Sequence, residues 1–163
     1  MDHKKRLLIF FLAEAIVLAV MICLFSSQTG EQSSLISTEL TKWLYDHLPH
    51  GSLSRWKFHV LVRKAAHFTE FMALGQAVSC VLACALRGRP SWRAGALALV
   101  LCGLYAAADE YHQLFVAGRS GAVKDVMIDC GGALTGIVLS LIALWLVFRR
   151  QAARKRRTQS PNA

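Results

Sequence analysis

The stretch YAAADEYHQLFVAGRSGAVKDVMIDCGG, from Tyr105 to Gly132, places a group of ionisable side chains between two strongly apolar segments. The six side chains are Asp109, Glu110, His112, Arg119, Asp125 and Asp129. A charged side chain at the centre of a bilayer costs roughly 2.5–3.5 kcal/mol, so such groups face the interior of a helix bundle and pair with one another. The stretch therefore predicts a polar site at the rim of a membrane-embedded bundle.

The composition of the whole chain favours a membrane protein. It has 163 residues, of which 55% are hydrophobic, and its mean hydropathy is +0.40, unusual for a soluble domain of this size. The net charge of +9 comes mostly from tails and short connections, which indicates membrane topology rather than nucleic-acid binding. Five cysteines lie inside apolar runs without zinc or redox spacing, so they are predicted to be small packing residues: Cys23, Cys80, Cys84, Cys102 and Cys130.

Four apolar segments are near the roughly 20 residues that a membrane-spanning helix needs. They cover residues 7–25, 65–86, 94–115 and 123–148. The first could be a signal peptide, but its apolar run is long and no small-x-small cleavage site follows it. The prediction is an all-α, polytopic membrane protein, a four-transmembrane-helix bundle occupying residues 7–148.

The distribution of basic residues predicts the orientation of this bundle. Twelve of the 19 Lys and Arg residues lie at positions 4–6, 87–93 and 149–157, all on one side of the four spans. By the positive-inside rule both termini are expected in the cytoplasm. Residues 1–6 then form a basic cytoplasmic N-terminus, and residues 149–163 form a basic tail that is expected to be disordered and held near anionic lipids.

The long connection between the first two spans, residues 26–64, is predicted to contain an amphipathic helix on the outer side. Apolar side chains recur there at helical spacing, at Ile36, Leu40, Trp43, Leu44 and Leu48. The helix either covers the end of the bundle or gates access to a site.

Three polar clusters fall at one depth near the outer ends of three spans. The first is a stripe in RKAAHFTEF, and the second is in DEYHQ, where one face is predicted to carry Asp109, His112 and Gln113 with Glu110 at its edge. The third lies in KDVMID, above a Gly-x-x-x-Gly spacing that lets a neighbouring helix approach closely. Their members are Arg63, His67 and Glu70; Asp109, Glu110, His112 and Gln113; Asp125 and Asp129, with Gly132 and Gly136 below. These clusters predict a shared polar pocket.

Several of these motifs resemble those of the VanZ-like family of bacterial integral membrane proteins. They are RKAAHFTEF, DEYHQLFVAGR and KDVMIDCGG, together with FSSQTGEQSS after the first span, and the resemblance extends from about residue 25 to residue 136. Phe71 stands where the family often has tyrosine, and Ala117 where proline is expected, which predicts a looser turn. The resemblance implies a multi-pass protein of the bacterial cytoplasmic membrane with a cell-envelope role. Because the family's prototype is associated with low-level teicoplanin resistance, it also implies a link to glycopeptide resistance.

The pocket residues suggest chemistry on a lipid-linked phosphate or related envelope precursor. Guanidinium and ammonium groups would hold phosphate, histidine would transfer protons, and carboxylates would orient histidine. The candidate catalytic residues are His67, Glu70, Asp109, Glu110, His112 and Asp125, and the candidate substrate-binding residues are Arg63, Lys64, Gln113, Arg119 and Asp129. A divalent metal is a further possibility, since His67 with Glu70 and Asp109 with His112 are i, i+3 pairs.

Other interpretations of the same residues stay open. The protein could be a non-catalytic accessory protein that binds a lipid or precursor. It could also be a small transporter or flippase, in which case Glu14, alone in the first span, would belong to the path. Structural ion pairs such as Arg63 with Asp125 or Arg119 with Glu110 would account for some of the charges. The substrate and the oligomeric state are not determined by the sequence.

Overall fold

The computed structural model describes residues 2–49, 51–86 and 91–159, and within these ranges it is helical without any strand. The five helices are α1 (His3–Ser26), α2 (Gly30–His47), α3 (Arg55–Ala85), α4 (Trp92–Gln113) and α5 (Val123–Gln159). Among the described residues, α1, α3, α4 and the part of α5 up to Gln151 are long and apolar enough to cross a membrane. The all-α, four-span prediction is confirmed, and α2 is the helix expected between the first two spans.

Short polar residues set where the helices begin. Thr29 and Gln32 form a reciprocal capping box at the start of α2, and the Ser54 hydroxyl accepts a hydrogen bond from the backbone N–H of Lys57 at the start of α3. The second span was predicted to begin at Ala65, but α3 begins ten residues earlier. Hydropathy detects only the apolar part of a helix, whereas the serine cap determines its first turn.

The C-terminal segment differs from its prediction. Residues 149–163 were expected to be disordered, but α5 continues through the basic segment to Gln159. Arg, Lys, Ala and Gln are good helix formers, and extending an existing helix needs no new nucleation step. Residues 160–163 of this tail, and Arg87 and Arg89 of the second basic connection, lie outside the described residues.

The closest helix pair is α3 with α5, whose backbones touch along a stripe of glycines. A Cβ atom on Gly132 would collide with the carbonyl oxygen of Phe68, and one on Gly136 with that of Met72. From the other side, a Cβ on Gly75 would collide with the backbone of Ala133. The predicted role of the Gly132–Gly136 spacing in close approach is confirmed. This contact places Lys64 of α3 beside Asp125 in the first turn of α5.

A small core joins the four spans. Its buried members come from all of them: Ile22, Phe71, Leu74, Cys102, Ala106 and Ala133. The Tyr105 hydroxyl donates a hydrogen bond of 2.6 Å to the carbonyl of Ala19, which ties α4 to α1. Cys102 packs in this core as predicted, and no described cysteine forms a disulfide.

Many large apolar side chains on the spans are exposed. Examples are Phe10 and Ile16 on α1, Leu104 on α4 and Leu139 on α5. A soluble monomer rarely exposes so much contiguous apolar surface, whereas spans in a bilayer place it against lipid tails. The chain is therefore a multi-pass membrane protein.

Helix α2 is amphipathic, as predicted, and its apolar face points away from the bundle. Leu40 and Trp43 are 55% and 58% exposed, while Thr41 is only 6% exposed. Thr41 faces a groove that is also lined by Arg55 and His59 at the start of α3. The side chain of Ile36, which was predicted to belong to the apolar face, lies outside the described part of the structure.

Candidate functional site

The polar end of the bundle is the end at which α1 and α4 terminate and α3 and α5 begin. A cavity of about 310 Å³ opens there between α3, α4, α5 and the connection after α4. Eight of the eleven predicted site residues line it, namely Arg63, Lys64, His67, Glu110, Gln113, Arg119, Asp125 and Asp129. The structure thus brings together most of the residues that the sequence grouped at one depth.

Helix α3 supplies one wall of the cavity as a single helical stripe. Trp56, Val60, Arg63 and His67 follow one another at spacings of three or four residues and all line the cavity. Glu70 lies on the same stripe one turn further along, with an oxygen 4.0 Å from Nδ1 of His67, and does not line the cavity. Nδ1 of His67 is buried and has no hydrogen-bond partner.

Helix α4 supplies a buried hydrogen-bond network beneath the cavity. Nε2 of Gln113 donates to Oδ2 of Asp109 (3.1 Å) and to Oε1 of Glu110 (3.3 Å). The hydroxyl of Ser26, at the end of α1, also donates to Oδ2 of Asp109. The backbone N–H of Ala122 donates to Oε2 of Glu110. Asp109 is therefore a buried support for Gln113 and does not itself reach the cavity.

His112 was predicted to share the inward face of α4, and this prediction is wrong. Its side chain is exposed, and its Nε2 lies 3.2 Å from the hydroxyl of Ser27. Glu110 takes the inward position instead, because Asp109, Glu110 and Gln113 form the buried side of this last turn. His112 lies on the flank of the helix, outside the cavity.

Two aspartates on α5 face the cavity in different states. Asp125, half-buried, forms an ion pair with Lys64 of α3. Asp129, one turn further along, is 1% exposed, and neither of its carboxylate oxygens has a hydrogen-bond partner. A buried polar group without a hydrogen-bond partner costs free energy. A ligand that donates hydrogen bonds to Asp129 would remove this cost.

Arg119 joins the connection after α4 to the turn between α1 and α2. Its Nε donates to the carbonyl of Gln28 (3.0 Å) and its Nη2 to that of Phe25 (2.9 Å). Burial, and then the charge of Arg63, lowers the pKa of the Arg119 guanidinium from its ordinary value. Guanidinium stays protonated at neutral pH all the same. Arg119 is therefore a cation whose position is fixed by hydrogen bonds to two backbone carbonyls.

The connection that carries Arg119 is also fixed through its backbone. The N–H of Gly30 donates to the carbonyl of Ala117 (3.0 Å), and a Cβ on Gly30 would collide with the carbonyl of Gly118. Gly118 itself has a φ of +72°, a conformation that glycine adopts without strain. Hydrogen bonds across the two turns therefore hold the segment in which alanine replaces the expected proline.

The ion pairs considered from the sequence do not form. Lys64, rather than Arg63, pairs with Asp125, and Arg119 donates to backbone carbonyls rather than to Glu110. Within the described part of the chain, Arg63 has no hydrogen-bond or ion-pair partner. Arg63 is thus a half-buried cation that remains available to a ligand.

The described residues contain no group of three or more His, Cys, Asp and Glu side chains arranged to hold a metal ion. Of the two predicted metal-binding pairs, His67 and Glu70 stay together. Asp109 and His112 have different partners, Ser26 and Ser27 respectively. Metal binding stays a prediction that depends on the first pair.

Some residues of the site were not anticipated. Trp56 and Val60 lie in the segment taken as a loop, although their spacing from Arg63 and His67 already marked one helical stripe. Ser26 lies in FSSQTGEQSS, a stretch noted only for its resemblance to a family. Glu14 on α1 lies outside the cavity, and its buried Oε2 has no hydrogen-bond partner.

The fold and the site define a class of protein, an all-α multi-pass membrane protein with a polar cavity at one end of a four-span bundle. The model of the VanZ/LLP1 family matches residues 11–148, and the chain belongs to this family. Neither the comparison with curated proteins nor that with solved structures gives a significant match.

Proposed function

We propose that the cavity binds the phosphate-bearing headgroup of a membrane lipid or a lipid-linked cell-envelope precursor. In this proposal the polar end faces the outside of the bacterial cytoplasmic membrane, because twelve of the 19 basic residues lie on the opposite side of the spans. The single observation that carries the proposal is Arg63, a cation without a partner among the described residues, at the wall of a cavity that also has an apolar side.

The cationic groups of the cavity support a phosphate ligand. Guanidinium offers paired N–H donors that match two phosphate oxygens, so Arg63 is the primary contact. Arg119 and Lys64 line the same cavity, and each is held by contacts of its own. Such fixed cations bind an anion at a lower entropic cost than mobile surface lysines do.

The apolar side of the cavity supports an amphiphilic ligand rather than free phosphate. Trp56, Val60 and Ile128 line it, so carbon atoms next to a phosphate would have apolar partners. Tryptophan is also enriched at the level of lipid headgroups. A lipid in the surrounding leaflet is the amphiphile that such a site would meet at high concentration.

His67 is the group that would act on a bound phosphate ester. Its ring lines the cavity, and a carboxylate oxygen of Glu70 lies 4.0 Å from its Nδ1. An imidazole can protonate the ester oxygen that leaves phosphorus, or accept a proton from the group that attacks it. The cavity would then be the active site of an enzyme that transfers or removes the phosphate group.

A non-catalytic accessory protein is the second candidate. Lys64 is already fixed by Asp125, and Arg119 by backbone carbonyls. This arrangement suits the binding of a headgroup without reaction as well as it suits catalysis. Sequestering a precursor in this way would change its exposure to glycopeptide antibiotics such as teicoplanin, the role that membership of the family suggests.

Mass spectrometry of the detergent-purified protein tests the proposal, by identifying the lipid that copurifies. Arg63→Gln should lose that lipid, whereas Lys57→Gln should keep it, because Lys57 is exposed on the same helix and does not line the cavity. Phosphorus NMR of the added lipid then separates the two candidates, since only an enzyme changes its phosphate signal. Equal lipid retention by the two variants would refute the proposal.

A further inference from the structure

The cationic side chains that line the cavity are matched in number by carboxyl groups. The lining carboxyl groups are Glu110, Asp125 and Asp129, the lining cations are Arg63, Lys64 and Arg119, and two further carboxyl groups, Glu70 and Asp109, lie behind the wall. The four other carboxyl groups all lie near enough to interact electrostatically with Asp129. A phosphate monoester or diester would add negative charge to a cavity whose lining has no excess of cations.

Asp129 is the carboxyl group of this cavity that has no hydrogen-bond partner. It is 1% exposed, it lines the cavity, and both of its carboxylate oxygens lack a hydrogen-bond partner. Other buried acidic residues of the site differ in this respect, because Asp109 accepts from Ser26 and Gln113 and Glu110 accepts from Ala122. Asp129 therefore has buried, unpartnered acceptors at the wall of a cavity that is large enough for a ligand.

We infer that the bound headgroup carries a primary ammonium group beside its phosphate, and that Asp129 binds this ammonium group. The inference rests on the proposed function and narrows its ligand to a zwitterionic headgroup of the phosphoethanolamine type. Arg63 then binds the phosphate and Asp129 the amine. The ammonium group supplies both a positive charge and N–H donors, which are the two things that the buried carboxylate lacks.

Other ligands meet only part of this need. A hydroxyl group would donate one hydrogen bond but would bring no positive charge to the cavity. A quaternary ammonium group would bring charge but has no N–H to donate, and such groups are normally bound by several aromatic rings; Trp56 is the one aromatic residue among those that line the described cavity. The site should therefore distinguish a primary from a quaternary ammonium headgroup.

Native mass spectrometry of the full-length protein in detergent tests this inference. The probes are phosphatidylethanolamine, phosphatidylcholine and phosphatidylglycerol with identical acyl chains, with soluble O-phosphoethanolamine as a competitor. The ethanolamine lipid should bind about tenfold more tightly than the other two, a difference typical of one charge-assisted contact. Soluble phosphoethanolamine should compete poorly, because it lacks the hydrocarbon part that Trp56 and Val60 would contact.

The variant Asp129→Asn should abolish the preference for ethanolamine, while the matched variant Asp46→Asn should keep it. Asp46 is exposed on α2 and pairs with Arg55 away from the cavity. If Asp129→Asn does not accumulate, the comparison of the three lipids on the wild-type protein decides the question alone.

Each outcome has a distinct meaning. Equal binding of the three lipids, or an unchanged preference in Asp129→Asn, overturns the inference and leaves the proposed function standing. Failure of all three lipids to bind overturns the inference, and if no phosphate-bearing lipid copurifies with the protein either, the proposed function falls with it. Competition by soluble phosphoethanolamine as strong as by the lipid keeps the role of Asp129 but overturns a lipid as the source of the headgroup.

Discussion

The hydroxyl of Ser26 donates a hydrogen bond of 3.0 Å to Oδ2 of Asp109, and both side chains are buried. This contact joins the last residue of α1 to the last turn of α4. The same Asp109 oxygen accepts from Gln113, which lines the cavity. The end of the first span therefore helps to hold a wall of the site, although it contributes no side chain to the cavity.

Removing this hydroxyl should destabilise the protein. Ser26→Ala leaves a buried carboxylate with one donor fewer, which typically costs about 1–3 kcal/mol. Thermal unfolding in detergent measures the loss. Ser27→Ala is the matched control, because Ser27 is exposed and its loss should change the melting temperature little. Equal melting temperatures of the two variants would show that the buried hydrogen bond contributes nothing.

A methyl group on Gly136 should separate α3 from α5. The added Cβ would collide with the backbone carbonyl of Met72, which has no freedom to move aside. The control is Gly131→Ala, whose Cβ would lie at 3.7 Å from the ring of Phe68, an ordinary contact. Alanine also favours helix over glycine by up to about 1 kcal/mol. Thermal unfolding in detergent should show Gly136→Ala well below wild type and Gly131→Ala at or above it.

The two histidines of the polar end should respond differently to substitution. His67→Asn removes the only imidazole that lines the described cavity, so turnover or retention of the copurified lipid should fall at least tenfold. His112→Asn should have little effect, because His112 is exposed and contacts Ser27. Lipid mass spectrometry and phosphorus NMR provide the readout. A larger loss in His112→Asn would place the functional site outside the cavity.

Substitution of Glu14 distinguishes a protein that only binds a ligand at the polar end from a transporter. It lies in α1 away from the cavity, so Glu14→Gln should leave lipid binding within about twofold of wild type. In a transporter this intramembrane carboxyl would belong to the path, and its loss would stop lipid movement between leaflets. A flipping assay in reconstituted vesicles, with Arg63→Gln beside it, compares the two residues directly. Equal impairment of flipping in both variants would favour the transporter.

The local sequence determined the class of fold and the end of the bundle at which the polar cavity lies. Apolar runs of about 20 residues must cross a bilayer as helices because no water is present to satisfy their backbone groups, and the structure has such helices at all four places. The glycine spacing on α5 predicted a close contact for a similarly local reason, since only small residues let two backbones touch. Polar side chains at or near the ends of three spans were expected to face inward together, and eight of the eleven predicted site residues line the cavity.

Only the tertiary structure decided how each side chain is used. Helical spacing could not tell whether Glu110 or His112 faces inward, because that depends on the rotation of α4 against its neighbours. The backbone N–H that donates to Glu110 belongs to Ala122, in the connection after α4. The pairing of Lys64 rather than Arg63 with Asp125 likewise depends on how α3 and α5 meet at their glycines. Whether Asp129 has a hydrogen-bond partner depends on all the elements that pack around it, so no local sequence pattern could show that it has none.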